Sequence, residues 1–236
     1  MSTQDAPSPA GRRTRIHLRR GRVLLTDLTP DDADRLTEIC QDREVQRWTL
    51  VPSPYTRADA EHFLTEYVPA RAAQGDYRWA IRLLDDGHEH DEVHPGVDPA
   101  TELIAGPPAP DLTHATLHGV LVLLDEGEGE REIGYWISPE SRGAGVMTAA
   151  VDLALTAAER ALRTTTVRWD CLVLDGEPNW ASWRVAWRLG FRDDGLARGG
   201  REQRGVRRDA RLASWRPGDP RRPVAPWTGP EPPARL

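Results

Sequence analysis

The chain has 236 residues, 39% hydrophobic and 29% charged, a balance that suits one globular domain with a sizeable core and polar extensions. Its formal net charge of −6 argues against a dedicated nucleic-acid binder, and no apolar run approaches the ~20 residues needed to span a bilayer. Two cysteines far apart in sequence, Cys40 and Cys171, make a disulfide framework unsuitable and fit a reducing cytoplasm; Met1–Gly11 has no apolar stretch of the secretory kind.

Residues 1–15 are rich in Pro, Ser, Ala and Arg and read as a disordered tail, with a single domain expected over 16–216. Val23-Leu24-Leu25, within Arg22–Leu28, reads as a first strand. Thr29-Pro30-Asp31-Asp32 then supplies an N-cap, a proline at the first helical position and acids in the first turn of a helix reaching Cys40. A second helix opens at Thr56, with Ala60, Phe63, Leu64, Tyr67 and Val68 at helical spacing. Tyr77, Trp79, Ile81 and Leu83 alternate with Arg78, Ala80 and Arg82, the period of a half-buried strand. Residues 85–115, with many Pro, Gly and acids, read as an inserted mobile loop; its His88-x-His90 lacks the company of a metal site, so no metal is expected.

Leu117–Leu124 is almost wholly apolar, as a strand covered on both faces would be, and Glu130–Ile137 is its return partner across a Gly-rich turn. Together with the strand at Tyr77 they predict an antiparallel meander. The period then changes to 3.6: Met147, Val151, Ala154, Leu155, Ala158 and Leu162 share one helix face. A strand at Thr165–Val173, a helix at Asn179–Leu189 ended by Gly190, and a hairpin from Phe191 returning over Arg207–Trp215 complete the domain. Residues 217–236 read as an unstructured Pro-rich tail.

The junction at Ser138–Thr148 is where chemistry is expected. The first amides of a helix lack internal partners and face the positive end of its dipole, so small residues there admit a diphosphate. Gly143, Ala144 and Gly145 are small, and Thr148 adds a hydroxyl in the first turn. Glycine also serves plain turns, so the pattern alone does not decide. There is no Gly-Lys-Ser/Thr, hence no P-loop, and the third glycine of a dinucleotide fingerprint is missing.

The run Glu132-Ile-Gly-Tyr-Trp-Ile-Ser-Pro-Glu-Ser-Arg-Gly-Ala-Gly-Val-Met-Thr148 resembles the strand–loop–helix acetyl-CoA motif of the GNAT superfamily of N-acetyltransferases. Asn179-Trp-Ala-Ser182, Leu189-Gly-Phe191 and the closing Gly205-Val-Arg-Arg-Asp209 resemble further signatures of its ribosomal-protein branch, typified by RimJ and RimL. The resemblance covers about 18–215. Met147 departs from it, standing where that family prefers Gly or Ala.

The resemblance implies an α/β fold with a mixed, mostly antiparallel sheet of six or seven strands, about four flanking helices and a splay between central strands. It implies acetyl-CoA as co-substrate, its diphosphate on the amides of Arg142, Gly143, Ala144, Gly145, Val146, Met147 and Thr148, and its pantetheine arm along Tyr135, Trp136 and Ile137. The tyrosine many members place seven residues after the motif asparagine is Ala186 here. By the same resemblance Ser182 would protonate the leaving thiolate, Asn179 would orient the pantetheine, and Glu132 would be the base. Asn179 and Ser182 also suit helix caps, and Glu132 a surface strand. Trp180, Trp183 and Trp187 read as packing, Cys171 as a buried structural thiol.

The implied activity is acyl transfer to a primary amine, a protein N-terminus or a small molecule, by direct attack in a ternary complex. A cytoplasmic monomer or homodimer, without nucleic-acid or membrane partners, is expected. A larger acyl group such as succinyl, or a non-catalytic acyl-CoA sensor, are the alternatives.

Overall fold

The computed structural model describes residues 15–84, 102–105 and 115–231, the second of these as backbone course only. Strands β1 (Ile16–Arg20) and β2 (Val23–Asp27) form a hairpin, so the run at Val23 is the second strand rather than the first. A 3-10 turn at Pro30–Asp32, boxed by Thr29 and Asp32, leads into α1 (Ala33–Cys40) as its cap residues require. An unexpected short helix, α2 (Arg43–Trp48), follows; its six residues are too few for a periodic signal, and the Asp42 cap fixes it by accepting from the Val45 amide. Then come α3 (Arg57–His62), capped by Thr56, a π-helical turn and α4 (Val68–Ala72).

Strands β3 (Tyr77–Leu84), β5 (Ala115–Gly127) and β6 (Glu130–Ile137) make the expected antiparallel meander. Within the segment read as a loop, Glu102–Ala105 forms β4 and pairs with β1 at the sheet edge; His88 and His90 lie outside the described residues. Helix α5 (Val146–Arg160), β7 (Thr166–Leu174), the short β8 (Glu177–Pro178), α6 (Trp180–Arg188), β9 (Arg192–Gln203) and β10 (Val206–Trp215) complete the chain order. The sheet runs β4-β1-β2-β3-β5-β6-β7-β10-β9 with β8 on β7, ten strands among the described residues in place of six or seven. The additions are β1, the short edge strand β4 and the two-residue β8, which hydropathy alone does not mark. Among these pairings β6–β7 is parallel and the rest antiparallel.

Each sheet face has its own core. On one, α5 and α6 cover Leu25, Trp79, Ile81, Leu121, Leu123, Ile133, Trp169 and Trp215. Each fully buried large apolar side chain there contributes roughly 1.5–3 kcal/mol. On the other, α1 to α3 cover Ala80, Leu117 and Val120 through Leu36, Ile39, Val45 and Ala60. This second face also buries charge, which corrects the half-buried reading of β3. Arg78 is 9% and Arg82 5% exposed, one held by Asp76 and the other by Asp32, at 2.7 and 2.8 Å. An alternating Arg therefore does not mark a solvent face where a carboxylate waits beneath it.

The C-terminal segment also departs from expectation. Residues 217–231 have no regular structure, yet they pack along α6 and α5. Arg221 donates to Asp152 Oδ1 and Glu159 Oε2 at 2.9 and 2.8 Å, and Trp187 Nε1 donates to the Ala225 carbonyl at 2.7 Å. Trp227 lies edge-on to Trp180 and Trp187, at 5.9 and 5.2 Å between centroids. Gly190 ends α6 at φ 81°, and a Cβ there would stand 1.9 Å from the Pro220 carbonyl oxygen. Proline-rich composition carries no sign of such packing, because the contacts belong to a few tryptophans and arginines. No helix among the described residues is long and apolar enough to cross a membrane.

Candidate active site

The site forms where β6 and β7 part company. Their ladder joins Glu130–Ile133 to Thr166–Trp169 and goes no further. Beyond it, β6 continues beside β5 to Ile137, while β7 continues with β10 and β8. The resulting gap is flanked by Tyr135, Trp136 and Ile137 on one side and by Asp170 onward on the other. Alternation sends Tyr135 and Ile137 toward the α5–α6 core, and Trp136 toward the opposite core, against Phe63.

After β6 the chain turns through Pro139–Ser141 into the loop. His118 of β5 anchors the turn: its Nδ1 lies 2.6 Å from Ser141 Oγ and 3.4 Å from Ser138 Oγ, and the Ser138 amide donates to the His118 carbonyl at 2.7 Å. Arg142 pairs with Asp42 and donates to the Ile137 carbonyl at 3.3 Å. Burial pushes the Asp42 carboxyl up, but Arg142 and the Val45 amide outweigh it and hold it below the usual range. Gly143 and Gly145 adopt φ of 75° and 82°, which only glycine takes without strain, and a Cβ on either would meet no atom within 4 Å.

Gly145 is the N-cap of α5 and has no side chain with which to cap it. The amides of Val146, Met147 and Thr148 occupy the first turn, where the helix offers no carbonyl. The Met147 side chain, where the sequence departs from the motif, is buried in the core. Ala144 is exposed between the two glycines. From this loop a groove of ≈ 690 Å³ runs along α5, lined by Gly145, Thr148, Arg20, Arg188, Leu189 and Arg221 among others.

On the α6 side of the gap, Ser182 Oγ donates to Tyr135 Oη at 3.2 Å and accepts from Trp169 Nε1 at 3.2 Å. Tyr135 Oη accepts from the same indole at 3.0 Å and donates to the Ser182 carbonyl at 3.1 Å. Burial pushes the Tyr135 phenol up, so it stays neutral. Asn179 caps α6, its Oδ1 accepting from the Ser182 amide at 3.1 Å, and thereby fixes where Ser182 stands. Ala186 is buried with no polar atom to offer. Trp183 belongs to the core, and burial raises the Cys171 thiol to about 12, in keeping with a structural role.

On the opposite face of the gap, Glu132 pairs with Arg201 of β9, and the same guanidinium pairs with Asp170 of β7. The β9–β10 hairpin brings Arg201 there because its tip is fastened to the end of α2. Gln203 Nε2 donates to the Arg47 and Thr49 carbonyls, both at 2.9 Å, and Arg204 donates to the Gln46 and Val51 carbonyls at 2.6 and 2.8 Å. Glu130, at the start of β6, is committed to Arg168 at 2.8 and 2.9 Å. Sequence reading reached Glu132 and Ser182 but not Asp170, Arg201 or Trp169. The last is a core-pattern tryptophan, and Asp170 and Arg201 are ordinary charges on strands 31 residues apart.

A GNAT acetyltransferase domain model matches residues 22–192, most of the chain, from β2 to the end of α6; β1, the closing hairpin and the C-terminal segment lie outside it. The chain belongs to the GNAT acetyltransferase family. It is 35% identical over 100 residues to YdaF of Bacillus subtilis (strain 168), a proposed ribosomal N-acetyltransferase; the match covers 42% of this chain and 52% of YdaF. RimJ of Mycobacterium smegmatis, solved with CoA-disulfide, superposes with a TM-score of 0.63 at 19% identity, covering 88% of this chain and 89% of RimJ. The self-immunity acetyltransferase MccE, solved with acetyl-CoA and AMP, gives 0.61 at 16% identity over 83% of this chain and 92% of MccE. At these identities the two structures bear on the fold.

Proposed function

We propose that the chain transfers the acetyl group of acetyl-CoA to a primary amine, a protein N-terminus or a small molecule, by direct attack in a ternary complex. The observation that carries this reading is the gap between β6 and β7, with a diphosphate-ready helix start at one end and opposed proton-handling groups across it. Amides from Arg142 to Thr148 hold the diphosphate, the groove along α5 receives the nucleotide, and Tyr135, Trp136 and Ile137 guide the pantetheine arm. Ser182 protonates the departing thiolate, positioned by Asn179, and a carboxylate of the Glu132–Arg201–Asp170 group receives the amine proton. Positioned proton transfer of this kind contributes roughly 10²–10⁴-fold.

A ribosomal-protein N-terminus is the favoured acceptor, supported by the likeness to YdaF and RimJ. Acetyl is favoured over succinyl because Arg201, the arginine at the gap, already faces two carboxylates. The two buried, unpaired cysteines agree with a cytoplasmic setting. The test is thermal stabilisation by acetyl-CoA, succinyl-CoA and CoA, followed by thiol release over peptides beginning with Ser, Ala or Met and over small amines. Stabilisation by acetyl-CoA and turnover of at least one peptide are expected. Absence of stabilisation by any of the three ends the reading.

A further inference from the structure

Trp169 and Asp170 are consecutive on β7, so their side chains leave opposite faces of the sheet. Trp169 touches Ser182 and Tyr135 on the α6 face. Asp170 meets Arg201 on the other. The β6–β7 ladder ends at Ile133 and Trp169. Asp170 is therefore the first β7 residue beside the open gap, whereas Glu132 sits within the ladder, paired in register with Arg168. Both carboxylates remain reachable, with side chains 21% and 24% exposed.

We propose that Asp170 takes the proton from the incoming amine, with Arg201 and Glu132 as positioning residues that set its charge. This rests on the acetyltransferase reading above and assigns one role within it.

The charge balance selects Asp170. One guanidinium faces two carboxylates, so the trio carries one negative charge in excess and has room for one proton. Burial, helped by the charge of Glu132, raises the Asp170 carboxyl against the pull of Arg201. Of its neighbours along β7, Arg168 is committed to Glu130, and Cys171 is a buried thiol raised by burial. A raised carboxyl is a stronger base than an ordinary aspartate and so better suited to taking a proton.

In the reaction the ammonium gives one proton to Asp170 and attacks as a neutral amine. The N–C bond forms, the C–S bond breaks, and the second nitrogen proton replaces the one that Ser182 hands to the thiolate. Asp170 then releases its proton to solvent. Ser182 and Asp170 lie on opposite faces of the sheet, so acid and base are kept from neutralising each other.

The test compares two acceptors on the full chain: a peptide with a free α-amino group, mostly charged near neutrality, and hydroxylamine, already neutral there. Asp170→Asn is expected to lower kcat with the peptide at least ~100-fold while hydroxylamine turnover and the acetyl-CoA melting shift stay within about threefold. Glu132→Gln is expected to cost less than ~10-fold and to move the acid limb of the kcat/KM profile to lower pH, since it removes a neighbouring negative charge. Asp170→Glu should recover part of the loss. Equal losses with both acceptors, or an unchanged peptide pH profile in Asp170→Asn, overturn the assignment. A ¹³C titration of the aspartate carboxyls, read without any acceptor, is expected to find Asp170 above the ordinary ~3.9; an ordinary or lowered value there also overturns it. A wild-type chain that acetyl-CoA does not stabilise would instead sink the acetyltransferase reading.

Discussion

The two faces of the sheet are held by different physics. Under α5 and α6 the core is larger and mostly apolar; beside the gap Ser182, Tyr135 and Trp169 bond to one another while neutral, and the charge on this face lies along α5, where Asp152 pairs with Arg20 and Arg221. Under α1 to α4 the apolar core is smaller, and charged groups fill what it leaves: Asp32 with Arg82, Asp76 with Arg71 and Arg78, Glu132 and Asp170 with Arg201. Neutral polar groups beside the gap suit a thioester and its leaving thiolate. A charged face suits an amine that arrives protonated and must lose a proton. The difference teaches that, in the reaction proposed above, the acid and the base draw on opposite faces of one sheet with different surroundings.

The sharpest way to break the contrast is at Asp76, 1% exposed, which accepts from Arg71, Arg78 and the Asp125 amide. Asp76→Ala leaves arginines uncompensated and should cost about 3–5 kcal/mol of stability in urea denaturation. Burial alone would raise the Asp76 carboxyl, but the Asp125 amide and Arg78 pull it below the usual range. A depressed carboxyl contributes stability that is present above its unfolded value of ~3.9 and is lost as pH falls toward the lower native value. Wild type should therefore lose stability through that window, and Asp76→Asn should flatten the loss.

Ser182→Ala tests the neutral face. It should lower kcat about 10²–10³-fold, equivalent to about 2.7–4 kcal/mol, while the acetyl-CoA melting shift persists. Turnover equal to wild type would remove Ser182 as donor and leave it a hydrogen-bond partner of Trp169. The smallest expected effect is at the C-terminal strap. Trp227→Ala removes the ring between Trp180 and Trp187 and should cost about 1–2 kcal/mol, read as a lowered Tm, with no change in kcat. A change in kcat without a change in Tm would mean the strap acts on the site directly.

Legibility follows the range of the interactions. The loop from Arg142 to Thr148 was readable because its requirements are local: small residues at positive φ, then a helix start. Asn179 and Ser182 were readable for the same reason, a cap and the residue it fixes lying three positions apart. Asp170 was not, because its meaning depends on Arg201, brought over the gap by a hairpin whose tip is pinned to α2. The strap was missed because Trp227 matters only beside Trp180 and Trp187.

By itself the sequence determined the central meander, the long helix after it with its period, the helix caps, and the glycines that open α5, since each is set within a few residues. Tertiary structure alone decided where the β6–β7 ladder stops, which arginines are buried, and which carboxylates share a guanidinium. Those depend on residues distant in the chain meeting in a low-dielectric space, where a charge takes its character from its partner and not from its neighbours in sequence.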